Sequence, residues 1–199
     1  MMACVTPKSE RHLIHRGRKF DFEKVTFTNS AGHRVEREVV RHPGAVVILP
    51  IIRAPEGDRI VMIRNERFAL DRTLWELPAG TREKGEDPSV TAARELIEET
   101  GFAAGSITSL GAFYTTPGMT DELMHAFVAE NLSIARQKLE EDERIEPRVV
   151  PVHEVLDMLD QGELVDSKSM VTILVALRRG IIADAGGRVG QGSAGAKGS

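Results

Sequence analysis

The sequence of 199 residues contains a single cysteine, Cys4, and this scarcity excludes an intrachain disulfide. A lone thiol also fits a reducing compartment. Residues 1–10 lack the apolar stretch of a signal peptide. The longest apolar run, from Gly44 to Ile52, is far too short to span a membrane. These absences predict a cytoplasmic protein that has no membrane partner.

Positive charge is not in excess either. The 26 Lys and Arg residues are outnumbered by 30 Asp and Glu, which gives a formal net charge of −4 at pH 7, and no basic stripe is present. Nucleic-acid binding requires clustered Lys and Arg that neutralise phosphates. The sequence therefore argues against a nucleic-acid partner.

Several familiar catalytic motifs are missing as well. There is no Gly-x-Ser-x-Gly elbow, Cys4 lacks a catalytic setting, and the six histidines have no metal-like helix spacing. The glycine-rich run at 190–199 resembles a phosphate loop only superficially, because its lysine is one place late and no strand precedes it. The carboxylates are the better candidates for chemistry.

The most informative stretch of the chain is residues 80–102, where the pattern predicts one helix. Asp87 has the side chain of an N-cap residue, and Pro88 fits the first helical position. Gly101 fits just past the C-terminal end, where glycine is the preferred residue. We therefore predict a helix over residues 88–100.

This helix carries three glutamates, Glu95, Glu98 and Glu99, whose spacing of three and four places them on one face. Like charges repel one another, and a hard divalent cation such as Mg²⁺ removes the repulsion because it takes oxygen ligands. The plain alternative is a solvated acidic face. We predict that roughly the opposite side packs on a core, through Val90, Ala93, Leu96 and Ile97.

The remaining pattern indicates a two-part chain. Alternating residues before and after a turn at 29–32 predict a β-hairpin, which is marginal alone and needs a surface to pack on. Beyond Pro43, we predict strands at 45–52, 59–64, 74–77, 107–115, 123–130 and 148–152, with further helices at 152–161 and 167–179. The predicted division is an irregular segment at 1–16, a hairpin domain at 17–42, a main domain at 43–180 and a disordered tail at 181–199. Strands interleaved with helices predict a mixed sheet covered on both faces.

Gly80, Glu86, Arg94 and Gly101 stand at fixed spacings around the glutamates. The pattern reads Gly, five residues, Glu, seven residues, Arg-Glu-Leu-x-Glu-Glu-x-Gly-Phe, and it resembles the Nudix hydrolase signature at every defined position. The resemblance implies an α/β/α sandwich with a mixed β-sheet, preceded here by a small N-terminal antiparallel β-domain. It also implies hydrolysis of a diphosphate bond with Mg²⁺, or with Mn²⁺ in its place.

Three features outside this motif resemble the ADP-ribose pyrophosphatase branch. They are Pro117, fifteen residues after the motif ends at Phe102, the surrounding loop at 116–122, and the run Leu-Trp-Glu-Leu-Pro-Ala-Gly at 74–80. This resemblance implies cleavage of ADP-ribose into AMP and ribose 5-phosphate. GDP-mannose, another nucleotide sugar or a dinucleotide are the alternative substrates, because enzymes similar to this branch use GDP-mannose or other nucleotide sugars. Met119 stands where an aromatic residue is common, which leaves the base and sugar preference open. A ligand-sensing module on the same fold is the non-enzymatic alternative.

The resemblance also implies roles for residues in the motif. Glu95 and Glu99 are expected to bind metal, with Glu98 in the same cluster and the Ala79 carbonyl as a further ligand. Arg94 is expected to hold a glutamate in place, and a surface helix arginine that pairs only with Glu98 is the weaker alternative. Glu86 is expected in a supporting role, with its charge paired to a nearby base.

Substrate contacts follow from the same resemblance. Arg67 is expected on the diphosphate, where an arginine supplies charge and planar donors. Glu122 is expected on the terminal ribose, beside the loop of Pro117. Arg37 and Arg41 are expected to reach the substrate across a homodimer interface. Each arginine is equally explained as a surface residue, and Pro117 as a turn proline.

The general base is expected in the acidic segment at 140–143. A carboxylate beside the metals can accept the proton of an attacking water. We predict Glu141 as the base, with Glu140 or Glu143 as the alternatives, and Glu143 as an extra metal ligand. A solvated acidic loop is the competing interpretation.

Overall fold

The computed structural model describes residues 9–139 and 144–184, and within these ranges the chain forms ten strands and three helices. The first three strands make a separate antiparallel sheet in the order β1-β2-β3. Their bounds are β1 Glu10–Arg16, β2 Asp21–Thr28 and β3 Arg34–Arg41.

The second sheet has seven strands in the order β10-β5-β4-β9-β8, with β6 paired to β5 and β7 paired to β4. The bounds are β4 Ala45–Ile52, β5 Arg59–Arg67, β6 Arg72–Glu76, β7 Ala79–Thr81, β8 Phe102–Tyr114, β9 Leu123–Ile134 and β10 Ile145–Pro151. The helices are α1 Pro88–Thr100, α2 Val152–Asp160 and α3 Ser167–Arg178. Only β4 and β9 run parallel among the strand pairs of this sheet, so the sheet is mixed. No helix of the described residues is long and apolar enough to cross a membrane.

Strand β4 is the centre of the core because its apolar run is buried on both faces. Val47, Leu49 and neighbouring alternate residues pack in the cluster that includes α2 and α3. Val46 and Ile48 pack on the other side against Ala92 and Leu96 of α1. Helices therefore cover both faces of a mixed sheet, which confirms the predicted fold class.

The predicted ends of α1 are confirmed. The Asp87 side chain accepts a hydrogen bond from the Ser89 N–H at 2.8 Å, and Pro88 opens the helix. Gly101 has φ of 72° and donates its N–H to the Ile97 carbonyl at 2.9 Å. Glycine adopts this left-handed conformation without the steric cost of a Cβ.

The predicted packing face of α1 was partly wrong. Val90 is 56% exposed, and Ala93 and Ile97 are only half-buried. The buried positions are instead Thr91, Ala92, Leu96, Glu99 and Thr100. Glu99 belongs to this set because its carboxylate has a backbone partner, so a polar side chain occupies part of the face that packs on the sheet.

The N-terminal segment also differs from the prediction. Residues 10–16, predicted to be irregular, form β1 and pair antiparallel with β2, so the predicted hairpin is a three-stranded sheet. Every residue of β1 is exposed, so its sequence lacks the apolar alternation by which a half-buried strand is recognised. Val40 of β3 links this sheet to the loop after β8, donating its N–H to the Met119 carbonyl at 2.9 Å.

The predicted start of the tail at residue 181 was wrong. Ile182 is 1% exposed and belongs to the core cluster that contains α3. Burial of this isoleucine extends the folded chain beyond residue 180. Residues 185–199 lie outside the described residues, and the division between residues 42 and 43 stays a prediction.

Candidate active site

A cleft of about 1490 Å³ lies where the strand β7 and the helix α1 meet the end of β5. It brings together six residues that the sequence singled out: Arg67, Ala79, Arg94, Glu95, Glu98 and Glu99. The three glutamates therefore share one cavity, as the helical spacing predicted. Acidic side chains of α1 therefore lie next to the backbone of β7 in this cleft.

Glu99 is fixed to the strand by a backbone donor. Its Oε2 atom accepts a hydrogen bond from the Ala79 N–H at 2.8 Å, and the residue is 3% exposed. Gln137 donates from Nε2 to the Glu99 carbonyl oxygen at 2.7 Å. A buried carboxylate is tolerated when it accepts such hydrogen bonds. The hydrogen bond to Ala79 joins α1 to β7, and the one from Gln137 joins α1 to the segment after β9.

Gly80 lies against the side chain of Glu95. A Cβ atom at this position would overlap the carboxylate of Glu95 and would displace it. The φ angle of Gly80 is not in the left-handed region, so the backbone conformation does not call for glycine here. The motif glycine thus allows an acidic side chain to lie directly on the strand backbone.

Arg94 cross-links the acidic groups. Its Nη1 atom donates to Glu95 Oε1 at 2.8 Å and to Glu98 Oε2 at 2.9 Å. Its Nε and Nη2 atoms donate to the two oxygens of Glu86 at 3.2 and 3.1 Å. One guanidinium therefore offsets the repulsion among three carboxylates.

The charges of this cluster perturb one another. The hydrogen bond from Arg94 is the main cause that lowers the pKa of Glu86 to about 2, from an ordinary value of 4.5. The same bond to Glu86 is the main cause that raises the pKa of Arg94. A carboxyl with a lowered pKa stabilises the folded state above its unfolded pKa. This contribution is complete above about pH 4.5 and is lost as the pH falls toward 2.

The donor set fits a hard divalent cation. The candidate ligands are carboxylate oxygens of Glu95, Glu98 and Glu99 and the carbonyl of Ala79, and Mg²⁺ prefers oxygen ligands. Across residues 9–139 and 144–184, no three acidic, histidine or cysteine side chains converge into a ready ligand group. The carboxylates of Glu95 and Glu98 accept hydrogen bonds from Arg94, and that of Glu99 accepts one from the Ala79 N–H.

Arg67 lines the cleft, but its main partner lies behind it. Arg67 donates from Nε and Nη2 to the two oxygens of Glu76 at 2.7 and 2.5 Å. Lys168 of α3 donates to the same carboxylate at 2.5 Å. Sequence reasoning missed Glu76 and Lys168, since they are 92 residues apart and belong to no local pattern.

Sequence reasoning also missed the basic lining of the cleft. Five further cationic residues line it: Arg18, Lys19, Arg82, Lys84 and Lys138. They come from separate segments, so no run or helical stripe in the sequence could have revealed them. Their positive charges suit a phosphate-bearing ligand.

The remaining predicted substrate residues lie outside this cleft in the single chain. Glu122 accepts a hydrogen bond from Thr115 Oγ1 at 2.5 Å, and its Oε1 lies 3.5 Å from His42 Nε2. Pro117 belongs to the turn just before Glu122.

The two arginines of β3 also have partners away from the cleft. Arg41 pairs with Asp121 and Glu23, while Arg37 donates to the backbone carbonyl of Glu36 at 2.8 Å. Their proposed substrate contacts stay predictions.

The predicted base and its alternatives, Glu140, Glu141 and Glu143, lie outside the described residues. Leu139, which precedes them directly, lines the cleft. The expected metal role of Glu143 likewise stays a prediction.

A family model described as the NUDIX domain matches residues 41–171, which is more than half of the chain. The chain belongs to the Nudix family. It is 44% identical over 167 residues to the ADP-ribose pyrophosphatase of Bacillus subtilis (strain 168), covering 82% of this chain and 88% of that protein. The family resemblance drawn from the motif is therefore confirmed, and the chain is a Nudix hydrolase.

Two further comparisons place this Nudix hydrolase more broadly. It is 31% identical over 184 residues to the GDP-mannose pyrophosphatase of Enterobacter sp. (strain 638), covering 88% of this chain and 93% of that protein. A crystal structure of an ADP compounds hydrolase matches 95% of this chain and 100% of that chain with a TM-score of 0.77. Its sequence identity is 24%, so this likeness shows the fold.

The Arg94 cross-link of this Nudix motif predicts a measurable titration. The variant Arg94→Gln should move the pKa of Glu86 from about 2 back toward 4.5, because the guanidinium that stabilises the carboxylate is gone. Carboxyl ¹³C NMR between pH 7 and pH 3 would follow it. The wild-type signal should hardly move in that range, whereas the variant should titrate within it.

The matched control is Arg178→Gln, since Arg178 is an exposed arginine on α3. It should leave the Glu86 titration unchanged. An unchanged Glu86 signal in Arg94→Gln would contradict the assigned pairing.

Proposed function

We propose that this chain hydrolyses the diphosphate bond of a nucleoside diphosphate sugar, with ADP-ribose as the first substrate. The products are then AMP and ribose 5-phosphate. The main support for this proposal is one cleft in which Glu95, Glu98 and Glu99 lie together with basic residues from separate segments. A 44%-identical relative named an ADP-ribose pyrophosphatase supports this choice of substrate.

Mg²⁺ is the proposed cofactor, with Mn²⁺ as the alternative. Nudix hydrolases generally depend on divalent metals. Glu95, Glu98, Glu99 and the Ala79 carbonyl would hold the metal here. When bound, it supplies positive charge that polarises phosphoryl oxygens.

The protein groups have separable tasks in this proposal. Arg94 and the Ala79 N–H keep the acidic side chains in place at the floor of the cleft. Arg67 supplies planar donors for the diphosphate oxygens. The basic residues that line the cleft, including Lys138, attract the negatively charged substrate.

The base is proposed to be Glu141. It accepts one proton from water while the water oxygen bonds to one phosphorus of the diphosphate. The bond from that phosphorus to the bridging oxygen breaks, and the second phosphate leaves with the bridging oxygen. A position two residues after the cleft-lining residue Leu139 supports this assignment.

A homodimer is also part of the proposal. Four proposed substrate residues do not line the cleft of one chain: Arg37, Arg41, Pro117 and Glu122. We propose that a second copy of the chain supplies these residues to the cleft. Edge strand β1 offers a surface for pairing, since all its residues are exposed. Exposed apolar side chains on the same N-terminal sheet include Leu13 and Ile14.

GDP-mannose hydrolysis is the second candidate function. A relative named a GDP-mannose pyrophosphatase aligns over 88% of this chain. The same cleft chemistry would serve, because the cleaved bond is again a diphosphate. The base and the sugar would be recognised differently.

A substrate panel tests the proposed activity. Purified protein with Mg²⁺ should release AMP and ribose 5-phosphate from ADP-ribose faster than it cleaves GDP-mannose, ADP-glucose, NADH or diadenosine polyphosphate. Product analysis by anion-exchange chromatography would measure this. Preference for GDP-mannose would change the assigned substrate and leave the assigned active site unchanged. Inactivity with every compound, under both Mg²⁺ and Mn²⁺, would contradict the proposed function.

Two glutamine substitutions test the site roles. Glu99→Gln should abolish turnover with the fold intact, because the amide keeps an acceptor for the Ala79 N–H and loses the charge that binds metal. Glu141→Gln should lower kcat by roughly 10²–10⁴-fold, as expected for loss of a general base. Kinetics, Mg²⁺ titration and circular dichroism would separate the two effects, since only Glu99→Gln should also weaken Mg²⁺ binding.

The matched control is Glu154→Gln, an exposed position on α2. It should keep wild-type kcat and KM. Near-normal turnover in Glu99→Gln would overturn the metal assignment, and near-normal turnover in Glu141→Gln would transfer the base to Glu140 or Glu143.

Light scattering tests the proposed dimer. The wild-type protein should have twice the mass of one chain in solution. Leu13→Glu should shift it toward monomer, because a charge on the exposed N-terminal sheet opposes burial in an interface. Val165→Glu, at an exposed position next to the N-cap of α3, is the control and should leave the mass unchanged. A monomeric wild type would contradict the dimer.

A further inference from the structure

A buried ionic cluster lies behind the wall of the cleft. Its centre is Glu76, the last residue of β6, which is 0% exposed. Arg67 and Lys168 both donate to its carboxylate. Burial alone would raise the pKa of Glu76, but the bond from Arg67 and the charge of Lys168 outweigh it and lower that pKa below its ordinary value. Glu76 is therefore an ionised carboxylate inside the protein.

The cluster reaches the N-terminus of α3 through a second acidic residue. Lys168 Nζ lies 2.9 Å from Asp166 Oδ1, and Asp166 caps α3 by accepting the Ser169 N–H at 3.1 Å. The formal charges of Arg67, Lys168, Glu76 and Asp166 cancel. A buried charge cluster is tolerated when each charge is paired and hydrogen-bonded. The first turn of α3 is thus linked to β5 and β6.

The same turn also contacts the segment that leads to Ala79. The Leu77 N–H donates to Ser169 Oγ at 2.7 Å, and both residues are fully buried. Pro78 follows, and its carbonyl accepts the Ile48 N–H at 2.8 Å. The backbone before Ala79 is therefore fixed from the α3 side, while Ala79 itself holds Glu99.

Within this cluster, only Arg67 lines the cleft. Its side chain is 41% exposed, compared with 1% for Glu76 and 12% for Lys168. The bonds to Glu76 use Nε and Nη2, so that carboxylate does not engage Nη1. A bidentate pair holds the guanidinium plane in one orientation. Arg67 is therefore an exposed cation that is fixed from behind by groups the substrate does not touch.

We propose that Glu76 and Lys168 are positioning residues of the active site, which orient the Arg67 guanidinium toward the substrate diphosphate. Glu76 binds Arg67 directly, and Lys168 anchors Glu76 to α3. The inference rests on the proposed function, in which Arg67 contacts the diphosphate. A donor that is already oriented loses less conformational freedom when it binds the ligand.

Glu76→Gln is the principal test. The amide keeps the size of the side chain and removes the charge and one of the two acceptors for Arg67. KM for ADP-ribose should rise about tenfold while kcat changes by less than about threefold, because Arg67 contributes binding in both the ground state and the transition state. Lys168→Met should raise KM in the same direction by a smaller factor, and Lys168→Arg should restore it.

A spectroscopic readout makes the test independent of turnover. The Nε–H resonance of Arg67, assigned in ¹⁵N-arginine-labelled protein with Arg67→Lys, reports its hydrogen bond to Glu76. In Glu76→Gln this resonance should shift and exchange faster with water. The matched control is Ile173→Val, a fully buried change on the same helix that should lower Tm without moving KM or the resonance.

The outcomes distinguish a failure of the proposed activity from a failure of the positioning role of Glu76 and Lys168. A wild-type protein that cleaves no substrate would defeat the proposed function, and the Arg67 resonance would still decide whether Glu76 and Lys168 orient this arginine. An active wild type with unchanged KM and unchanged resonance in Glu76→Gln would overturn the inference. If Glu76→Gln fails to fold, Lys168→Met and Lys168→Arg decide it by the same two readouts.

Discussion

Arg94 binds the carboxylates on the acidic face of α1 and offsets the repulsion between them. Glu95 and Glu98 project from the helix within reach of each other, and Glu86 approaches from the preceding loop. Without a cation between them, their mutual repulsion would oppose both the helix and its packing on β7. The guanidinium has enough donors in one plane to bind all three, which a lysine could not do with fixed geometry. The same side chain therefore stabilises the packing of α1 and orders the acidic groups of the site.

The rest of the cleft is a consequence of where α1 lies relative to the sheet. Strand β4 is buried on both faces, so α1 packs on one side and α2 with α3 on the other. The short strand β7 pairs with β4 and presents Ala79 and Gly80 to α1. The site is thus built mainly on regular elements, and rigid elements hold functional groups more closely than loops do.

The sequence predicted those parts whose cause is local. The caps of α1 and the apolar run of β4 follow from backbone chemistry and period, and the spacing of the glutamates put them in one cavity. Contacts between distant segments could not be predicted this way. Strand β1 has no apolar alternation because both its faces are exposed, and Val90 was assigned to the core because periodicity cannot reveal a buried Glu99. The pairing of Glu76 with Lys168 depends on how α3 lies on the sheet, which no local pattern encodes.

The pairing of Glu76 with Lys168 restricts which substitutions the protein tolerates during evolution. A change of charge at position 76 or at position 168 alone leaves the four-residue cluster with a net charge in a buried place, and such a charge is costly. Substitution at one position is therefore better tolerated when the other position changes to restore neutrality. Positions 76 and 168 should vary as a unit during evolution, although one belongs to the short strand β6 and the other to α3.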